Sequence, residues 1–566
     1  MKVVIIGGVA GGATAAARLR RLDEHAEIVI LERSGYVSYA NCGLPYYIGG
    51  TIQSQSALTL QTPDSFRSRF NIDVRVQSEA TAVDPQAHTV TVRDLRSGTE
   101  YTETYDKLIL SPGARAIRPP LPGVDSERIY TLRTVEDTLR IRQVVETQRP
   151  QSAIVVGGGF IGLEMAENLM HAGLHTTLIQ LDDQVLLPMD PDMAGEIHSY
   201  LRAQGLDLHL STGVTGFEER GDKICALLGD APSVEADMVV MAIGVAPDSD
   251  LAKKAGLTLG VRGSIAVDSH MRTSAPDIYA VGDAVEVTSL ATGQKALVSL
   301  AGPANRQGRI AADHICGLGS SYGGAQGTSV IKLFDMTAAS TGLNEKTARA
   351  GGIRFDKVVT YSASHASYYP GARNMVVKTL FDPADGRVLG AQIIGFDGVD
   401  KRMDVLAAAI RAGLTAQQLT ELDLAYAPPY SSAKDPVNMA GYVIENVRSG
   451  LVRQHHWNEV AGLPQDGSVT LLDVRTAAEF QSQGPVRGDA VNIPLDELRG
   501  RLGELDPKKP VYVNCYSGLR SYLACRILTQ RGFDCSNLSG GWRFWSYAAT
   551  DRRHDAAPTH LCGAKL

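Results

Sequence analysis

Long apolar runs are missing from this chain: no stretch of its 566 residues approaches the roughly 18 uninterrupted apolar positions that a membrane-spanning helix needs. A transmembrane segment is therefore not expected. The short run from Val3 to Ile6 enters a glycine turn instead of a cleavage site, so it does not read as a secretory signal, and the cytoplasm is the default compartment. Paired cysteines are missing too. The seven cysteines (42, 225, 316, 515, 525, 535 and 562) are scattered and odd in number, with no CxxC pair and no zinc-ligand spacing, which excludes a disulfide framework and offers no metal site. There is also no basic footprint. With a formal net charge of -7 and no long run of one sign, nucleic acid is not an expected partner, and small molecules are.

What remains is an ordinary globular composition, 44% hydrophobic and 21% charged, spread over a chain too long for one core. Two segments read as strand, tight turn and helix. In Lys2 to Arg21 a β-branched run enters Gly7-Gly8-Val9-Ala10-Gly11-Gly12 and then an alanine-rich helix. In Ala153 to Met170 the same grammar returns around Gly157-Gly158-Gly159-Phe160-Ile161-Gly162, a full GxGxxG. Gly157 makes the turn, Gly159 lets the backbone approach a pyrophosphate, and Gly162 allows close helix packing, so the helix N-terminus faces the phosphates. Two nucleotide sites follow. Two further strand-like runs stop in glycine, at Gly113 and Gly244, as strand ends beside a ligand often do.

The second turn predicts a nicotinamide site. At the end of its next strand, where an acidic residue would hold the ribose, stands Gln180; no arginine follows for a 2′-phosphate, and Asp182 and Asp183 would repel one. NADH is favoured over NADPH on that basis. In the first turn Val9 replaces the middle glycine, but Gly7 and Gly12 are in register, and Glu32 closes the strand from Glu27 at the right distance for a ribose. Ile278-Tyr-Ala-Val-Gly282-Asp283-Ala284 resembles the segment by which two-dinucleotide flavoproteins place an aspartate on the flavin ribityl chain. The first site is accordingly assigned to FAD.

Ser38-Tyr39-Ala40-Asn41-Cys42-Gly43-Leu44-Pro45-Tyr46 resembles the pyridine nucleotide-disulfide oxidoreductase family, in its single-cysteine branch of coenzyme A disulfide reductases and NADH-dependent persulfide reductases. The likeness covers roughly residues 1 to 447. Relay members of the family carry a second cysteine five positions on, where this chain has Tyr47, so Cys42 acts alone. A lone thiolate can form a mixed disulfide, hold a persulfide or become a sulfenic acid, and Ser38, Asn41 and a helix start are expected to lower its pKa. The resemblance implies a homodimer whose third domain lends residues to the partner's site. It places Tyr368 (in Ser364-His-Ala-Ser-Tyr368-Tyr369-Pro) and Tyr426 (in Ala425-Tyr426-Ala-Pro-Pro-Tyr430) at the reacting sulfur as hydrogen-bond or proton donors. It also implies coenzyme A binding by Thr14, Arg18 and Arg21 on the first helix, by Lys434 of the dimer mate, and by Ser38 and Asn41 at the pantetheine end.

Near the C-terminus, Asn514-Cys515-Tyr516-Ser517-Gly518-Leu519-Arg520-Ser521 sits between a strand and a helix and resembles the loop of rhodanese-like sulfurtransferases. Cysteine and arginine with four residues between them form a cradle for one sulfur, smaller than the HCx5R phosphate loop of tyrosine phosphatases. The likeness makes Cys515 a sulfane-sulfur carrier and Arg520 its neighbour, with Asp473 and Arg475 as structural residues. Because Tyr516, Ser517 and Leu519 are uncharged, dianionic thiosulfate should bind weakly, which favours persulfide or polysulfide donors.

The expected fold class is α/β. An FAD domain (1–115 and 248–324) and an NAD(P)H domain (116–247) are both Rossmann-like. An α+β dimerisation domain (325–447) precedes a linker (448–457), a rhodanese-like α/β domain (458–550) and a tail (551–566). Strands are expected over Val358 to Ser362 and Met375 to Phe381, and a helix near Lys401 to Ala412. The function these readings imply is reduction of coenzyme A disulfide, coenzyme A persulfide or polysulfide by NAD(P)H through FAD and Cys42. The alternatives are an NADH oxidase or peroxidase using a Cys42 sulfenic acid, and a slow sulfur carrier or sensor.

Overall fold

In the computed structural model, which describes residues 1–555, the chain forms two compact units: residues 1–181 with 212–325, and residues 182–211 with 326 onward. The first unit holds two parallel sheets. One runs Ile278–Ala280, Lys107–Leu110, Lys2–Ile6, Glu27–Glu32, Asp73–Val76, all neighbours parallel. Its strands are near-continuous Val, Ile and Leu runs because helices cover both faces, and Val3, Val4 and Ile5 are fully buried. The other brings His175–Ile179, Ser152–Val156, Met238–Met241 and Ile129–Thr131 together in parallel. Each sheet feeds a glycine turn into a helix, Ala10–Leu22 in the first and Phe160–His171 in the second. Helix Ala301–Ile315 lies so close to Ala10–Leu22 that a Cβ on Gly308 would stand 2.3 Å from the Gly11 carbonyl oxygen.

The second unit begins with an antiparallel sheet ordered Ser329–Leu333, Met336–Gly342, Val388–Gly395, Asn374–Phe381, Asp356–Ala363. Helix Val399–Ala412 packs on it through Val399, Met403, Leu406 and Ala409. These elements contain the two strands and the helix expected from the sequence. A parallel sheet follows, ordered Gln454–His455, Cys535–Leu538, Val511–Asn514, Thr470–Asp473, Val491–Asn492.

Three boundaries differ from expectation. Residues 454–455, read as linker, form an edge strand, since Gln454 and His455 pair with Asn537 and Leu538. The tail begins inside helix Gly541–Asp555; Cys562 lies outside the described residues. The stretch 182–211, read as part of the NAD(P)H domain, groups with the second unit. Its helix Pro191–Ala203 lies against Gly541–Asp555, where Gly195 permits a close approach (a Cβ would be 3.2 Å from the Tyr547 carbonyl oxygen). Fully buried His198 there accepts from the Val185 N–H at 3.0 Å and meets Asp551 at 2.6 Å, and Arg543 bonds Glu196 at 2.9 Å.

A buried ionic cluster holds this unit. Lys378 Nζ contacts Asp190 (2.9 Å), Asp192 (2.6 Å) and Glu345 (2.6 Å), and Trp457 Nε1 donates to Asp192 at 3.1 Å. The three carboxylates are spaced as a cation site, and the lysine ammonium is the cation among them. Burial alone would lower Lys378, but Asp192, Asp190 and Glu345 override it and hold the ammonium protonated. Burial likewise opposes ionisation of Glu345, yet Lys378 and Lys357 bring it down to about 2.

Candidate active sites

The two glycine turns are built alike. Gly7 has φ +95°, and a Cβ there would lie 2.1 Å from the Ser111 carbonyl oxygen; one on Gly12 would lie 1.9 Å from that of Gly7. The second turn repeats this with Gly157 (φ +111°) against Ala242 at 2.5 Å and Gly162 against Gly157 at 1.9 Å. Neither following helix has a side-chain cap, so the first backbone N–H groups keep their donor capacity for phosphate oxygens. Gly159 faces open space, as the backbone approach of a pyrophosphate requires. Glu32 and Gln180 are placed equivalently. Glu32 accepts from the N–H groups of Gly8 (2.8 Å) and Ser34 (2.9 Å), while Gln180 accepts from the Gly158 N–H at 2.7 Å. Burial raises the Glu32 carboxyl against the pull of those hydrogen bonds. Gly113 (φ +72°), Gly244 (φ +118°) and Gly282 (φ +85°) all occupy the left-handed region at strand ends. These features, glycine cradle, uncapped helices and strand-end acceptors, fit dinucleotide binding.

Cys42 lies on the turn Asn41–Gly43 that runs directly into helix Leu44–Ile48, and it is exposed. Beside it, Tyr46 donates to Glu164 at 3.3 Å from the helix of the second glycine turn. On its other side, Arg133 donates to Asp283 at 2.8 Å and to the Ala114 carbonyl oxygen at 2.9 Å. Asn41 completes this corner, its amide nitrogen donating to the Arg133 carbonyl oxygen and its oxygen accepting from Arg133 Nη1, both at 3.1 Å. Contrary to the expected lowering, the Cys42 thiol is raised: partial burial of the sulfur comes first, then the charges of Glu164 and Asp283, with Arg133 pulling it down. Burial lifts Glu164 to about 7. Arg133, Glu164 and Tyr46 do not stand out in the sequence as site residues. The available signal was Glu164, an acidic residue among apolar ones two positions past Gly162.

The expected coenzyme A residues are divided. Ser38 adopts φ +48°, and its N–H donates to the Gly8 carbonyl oxygen at 2.8 Å, which keeps it beside the first turn. Thr14 bonds Asn305 at 2.9 Å. Arg18, expected to face phosphates, is instead held by Asp313 at 2.6 Å, because a carboxylate buried on helix Ala301–Ile315 needs a cation within reach. Arg21 and Lys434 are exposed.

In the second unit Tyr368 and Tyr426 meet, their hydroxyls 2.7 Å apart, and that bond raises the Tyr368 phenol. Their two loops are clamped by Arg402, whose buried guanidinium bonds Asp435 (3.0 Å), the Ser364 carbonyl oxygen (2.9 Å) and Ser431 Oγ (3.0 Å). Both tyrosines project into solvent from this support, Tyr368 being 74% exposed.

Cys515 is fully buried at the end of strand Val511–Asn514. Its Sγ accepts from the Gly518 N–H (3.1 Å) and from Ser521 Oγ (3.2 Å), at the start of helix Leu519–Thr529. Gly541 forms the floor; a Cβ on it would lie 2.6 Å from the Cys515 carbonyl oxygen. Arg520, expected beside the sulfur, lies near enough to feel the Cys515 charge but does not hydrogen-bond it. Its guanidinium grips both oxygens of Glu479 at 2.7 Å, and Glu479 is itself fixed by a capping box with Thr476 at the start of helix Ala477–Gln483. That grip, ahead of the opposing burial, brings Glu479 down to about 2. Among the described residues the donors bonded to Cys515 Sγ are therefore backbone and hydroxyl, and Leu519 and Leu523 are exposed on the helix that follows. Asp473 and Arg475 form a fully buried pair at 2.7 Å, with Asn514 donating to Asp473 at 3.0 Å.

The family described as pyridine nucleotide-disulphide oxidoreductase matches residues 1–308, its dimerisation domain residues 328–436, and the rhodanese-like domain residues 456–548. A coenzyme A disulfide reductase of Staphylococcus haemolyticus is 37% identical over 442 residues, covering 78% of this chain and 98% of that protein. The crystal structure of reduced Bacillus anthracis CoADR-RHD is 46% identical with a TM-score of 0.94, covering 97% of this chain and 98% of that one. An NAD-dependent persulfide reductase from A. fulgidus is 40% identical with a TM-score of 0.91, covering 96% and 100%. Among the described residues no helix is long and apolar enough to cross a membrane.

Proposed function

The chain belongs to the pyridine nucleotide-disulphide oxidoreductase family and carries a rhodanese-like domain, and from that premise we propose that it spends NAD(P)H to reduce sulfur-sulfur bonds at Cys42. The substrates are coenzyme A disulfide, coenzyme A persulfide or polysulfide, and the working form is a homodimer. Gly7, Gly12, Glu32, Gly282 and Asp283 would hold FAD and Gly157, Gly159, Gly162 and Gln180 would hold NAD(P)H, and the two cofactors when bound would supply the electron pair for the reduction.

The single observation that carries this reading is a solitary thiol on a turn between the two nucleotide cradles, with Tyr47 where a partner cysteine would stand. Cys42 as thiolate attacks one sulfur of the substrate, a new bond forms to Cys42 Sγ, and the other sulfur leaves as thiolate or hydrosulfide. Arg133 favours the thiolate electrostatically, and Asn41 positions Arg133. The Tyr368 and Tyr426 hydroxyls, sharing one hydrogen bond, would be lent by the dimer mate to hold a proton for the leaving sulfur. Thr14, Arg21, Ser38 and Asn41, with Lys434 from the dimer mate, line the coenzyme A path in this reading, and Arg18 joins them only if Asp313 releases it.

Cys515 takes sulfane sulfur from alkyl persulfides or polysulfide. Its Gly518 and Ser521 donors stabilise one sulfur anion, and Glu479 offsets the Arg520 charge that a dianion would need. Anaerobic NADH oxidation against coenzyme A disulfide and coenzyme A persulfide tests the assignment. Cys42→Ser is expected to lose at least about 100-fold with both, and full retention of either activity would sink it.

A further inference from the structure

Cys515 rides on a loop whose first two carbonyl groups are held from outside it. The Cys515 carbonyl oxygen accepts from the Trp542 N–H at 2.7 Å, and that of Tyr516 accepts from the Arg543 N–H at 2.9 Å. Both donors stand in the first turn of helix Gly541–Asp555, where backbone N–H groups have no partner within the helix. The Trp542 ring also stacks on Tyr516, with centroids 6.2 Å apart and 19° between the planes. Gly541 permits this approach, since a Cβ there would lie 2.7 Å from the Gly518 nitrogen. The course of the loop, and with it the Gly518 N–H that donates to Cys515 Sγ, is thus set by where this helix starts.

The start of the helix is fixed by a buried ion pair. Arg543 Nη2 donates to Glu196 Oε1 at 2.9 Å, and the guanidinium carbon lies 4.7 Å from the centre of the Tyr361 ring. Glu196 is buried, and its second oxygen, like Arg543 Nε, has no hydrogen-bond partner among the described residues. A pair kept in that state is a poor source of stability, because its unpaired atoms are desolvated without compensation. What it does supply is a fixed point for Arg543. Further along the same helix Asp551 meets His198 at 2.6 Å and Arg202 at 3.0 Å, so both anchors lie on helix Pro191–Ala203. Glu196 falls within the residues 1–308 matched by the oxidoreductase family, whereas Cys515 falls within 456–548. The sulfur loop is therefore braced by a residue foreign to its own domain.

We propose that Glu196 is a positioning residue for Cys515: through Arg543 it holds the helix start that orients the sulfur loop, and so sets the rate at which Cys515 takes sulfane sulfur. The inference rests on the reading of Cys515 as a sulfur carrier. In the step concerned, Cys515 thiolate attacks a terminal sulfur of a polysulfide chain; a bond forms to Cys515 Sγ, the adjoining sulfur-sulfur bond breaks, and the shortened chain leaves as an anion. Glu196 touches none of the reacting atoms. Without it Arg543 loses its anchor, the Trp542 and Arg543 N–H groups drift from the loop carbonyls, and the Gly518 N–H no longer aims at the sulfur anion.

Single-turnover loading of the full-length holoenzyme tests this. The protein is mixed anaerobically with sodium tetrasulfide, quenched by alkylation at set times, and the tryptic peptide ending at Arg520, which holds Cys515 and no other cysteine, is followed by mass for one added sulfur. The rate constant reads loop geometry and the amplitude reads the folded fraction, so a merely structural loss lowers the amplitude alone. Glu196→Ala is expected to load at least about tenfold more slowly at full amplitude, and Glu196→Gln, which keeps an oxygen for Arg543, about threefold more slowly. Amide exchange over residues 515–520 should quicken in the same order while exchange around Cys42 stays unchanged. Unaltered rate constants, a fall in amplitude only, or unaltered exchange over 515–520 overturns the proposal, and Glu196→Gln decides alone if Glu196→Ala fails to fold. An unaltered enzyme that takes no sulfur at Cys515 overturns the carrier reading and this proposal with it, and the exchange rates tell that failure from failure of the brace.

Discussion

Glu164 sets the charge next to Cys42 in a way that depends on pH. Burial lifts its carboxyl to about 7, so it is neutral below that value and anionic above it, and when anionic it raises the Cys42 thiol. Alkylation of Cys42 is therefore expected to rise less steeply with pH above about 7 than a lone thiol would. Glu164→Gln should remove that inflection and speed alkylation at pH 8 roughly threefold. An unchanged profile of rate against pH would show that Glu164 does not reach the sulfur. Arg133 acts in the opposite sense, and Arg133→Met should slow alkylation at every pH where Cys42 ionises. These two residues come from elements remote in sequence, which is why the nine residues around Cys42 do not disclose them.

The strand, turn and helix units are near copies, and substitution of their third glycines tests our assignment of them to different nucleotides. A methyl group on Gly12 or Gly162 meets a carbonyl oxygen at 1.9 Å, and that oxygen belongs to backbone and cannot yield cheaply. Gly162→Ala is expected to retain flavin and raise the KM for NADH at least about tenfold, whereas Gly12→Ala should purify with little flavin. Flavin absorbance and NADH titration read the two effects, and loss of flavin in Gly162→Ala would reverse the assignment of the turns. The turns were legible from sequence because glycine spacing is a local requirement. Strand alternation and the Val399–Ala412 helix were legible for the same reason, through apolar periodicity.

Within the second unit, stability rests on an ion cluster that joins segments far apart in the chain. Replacing Lys378 by Met leaves Asp190, Asp192 and Glu345 buried without their cation, and is expected to cost about 3–5 kcal/mol in denaturant unfolding. Glu345 has its folded value depressed to about 2, so its contribution is fully present above the ordinary carboxylate range near 4.5 and is lost as pH falls through about 2. The unaltered protein should accordingly lose stability across that acid window, and Lys378→Met should lose much less there. Equal acid sensitivity in the two proteins would mean that the cluster does not couple protonation to folding.

By itself the sequence determined that there are two dinucleotide turns, one solitary cysteine after the first of them, a dimerisation-type domain and a rhodanese-type loop, because each depends on residues close together in the chain. Tertiary structure decided the rest: that Arg18 answers Asp313, that Arg520 answers Glu479, and that Arg402 joins the two tyrosine loops. A charged or thiol side chain is committed by whichever partner folding brings within about 3 Å, and linear spacing records no such distance between separate elements.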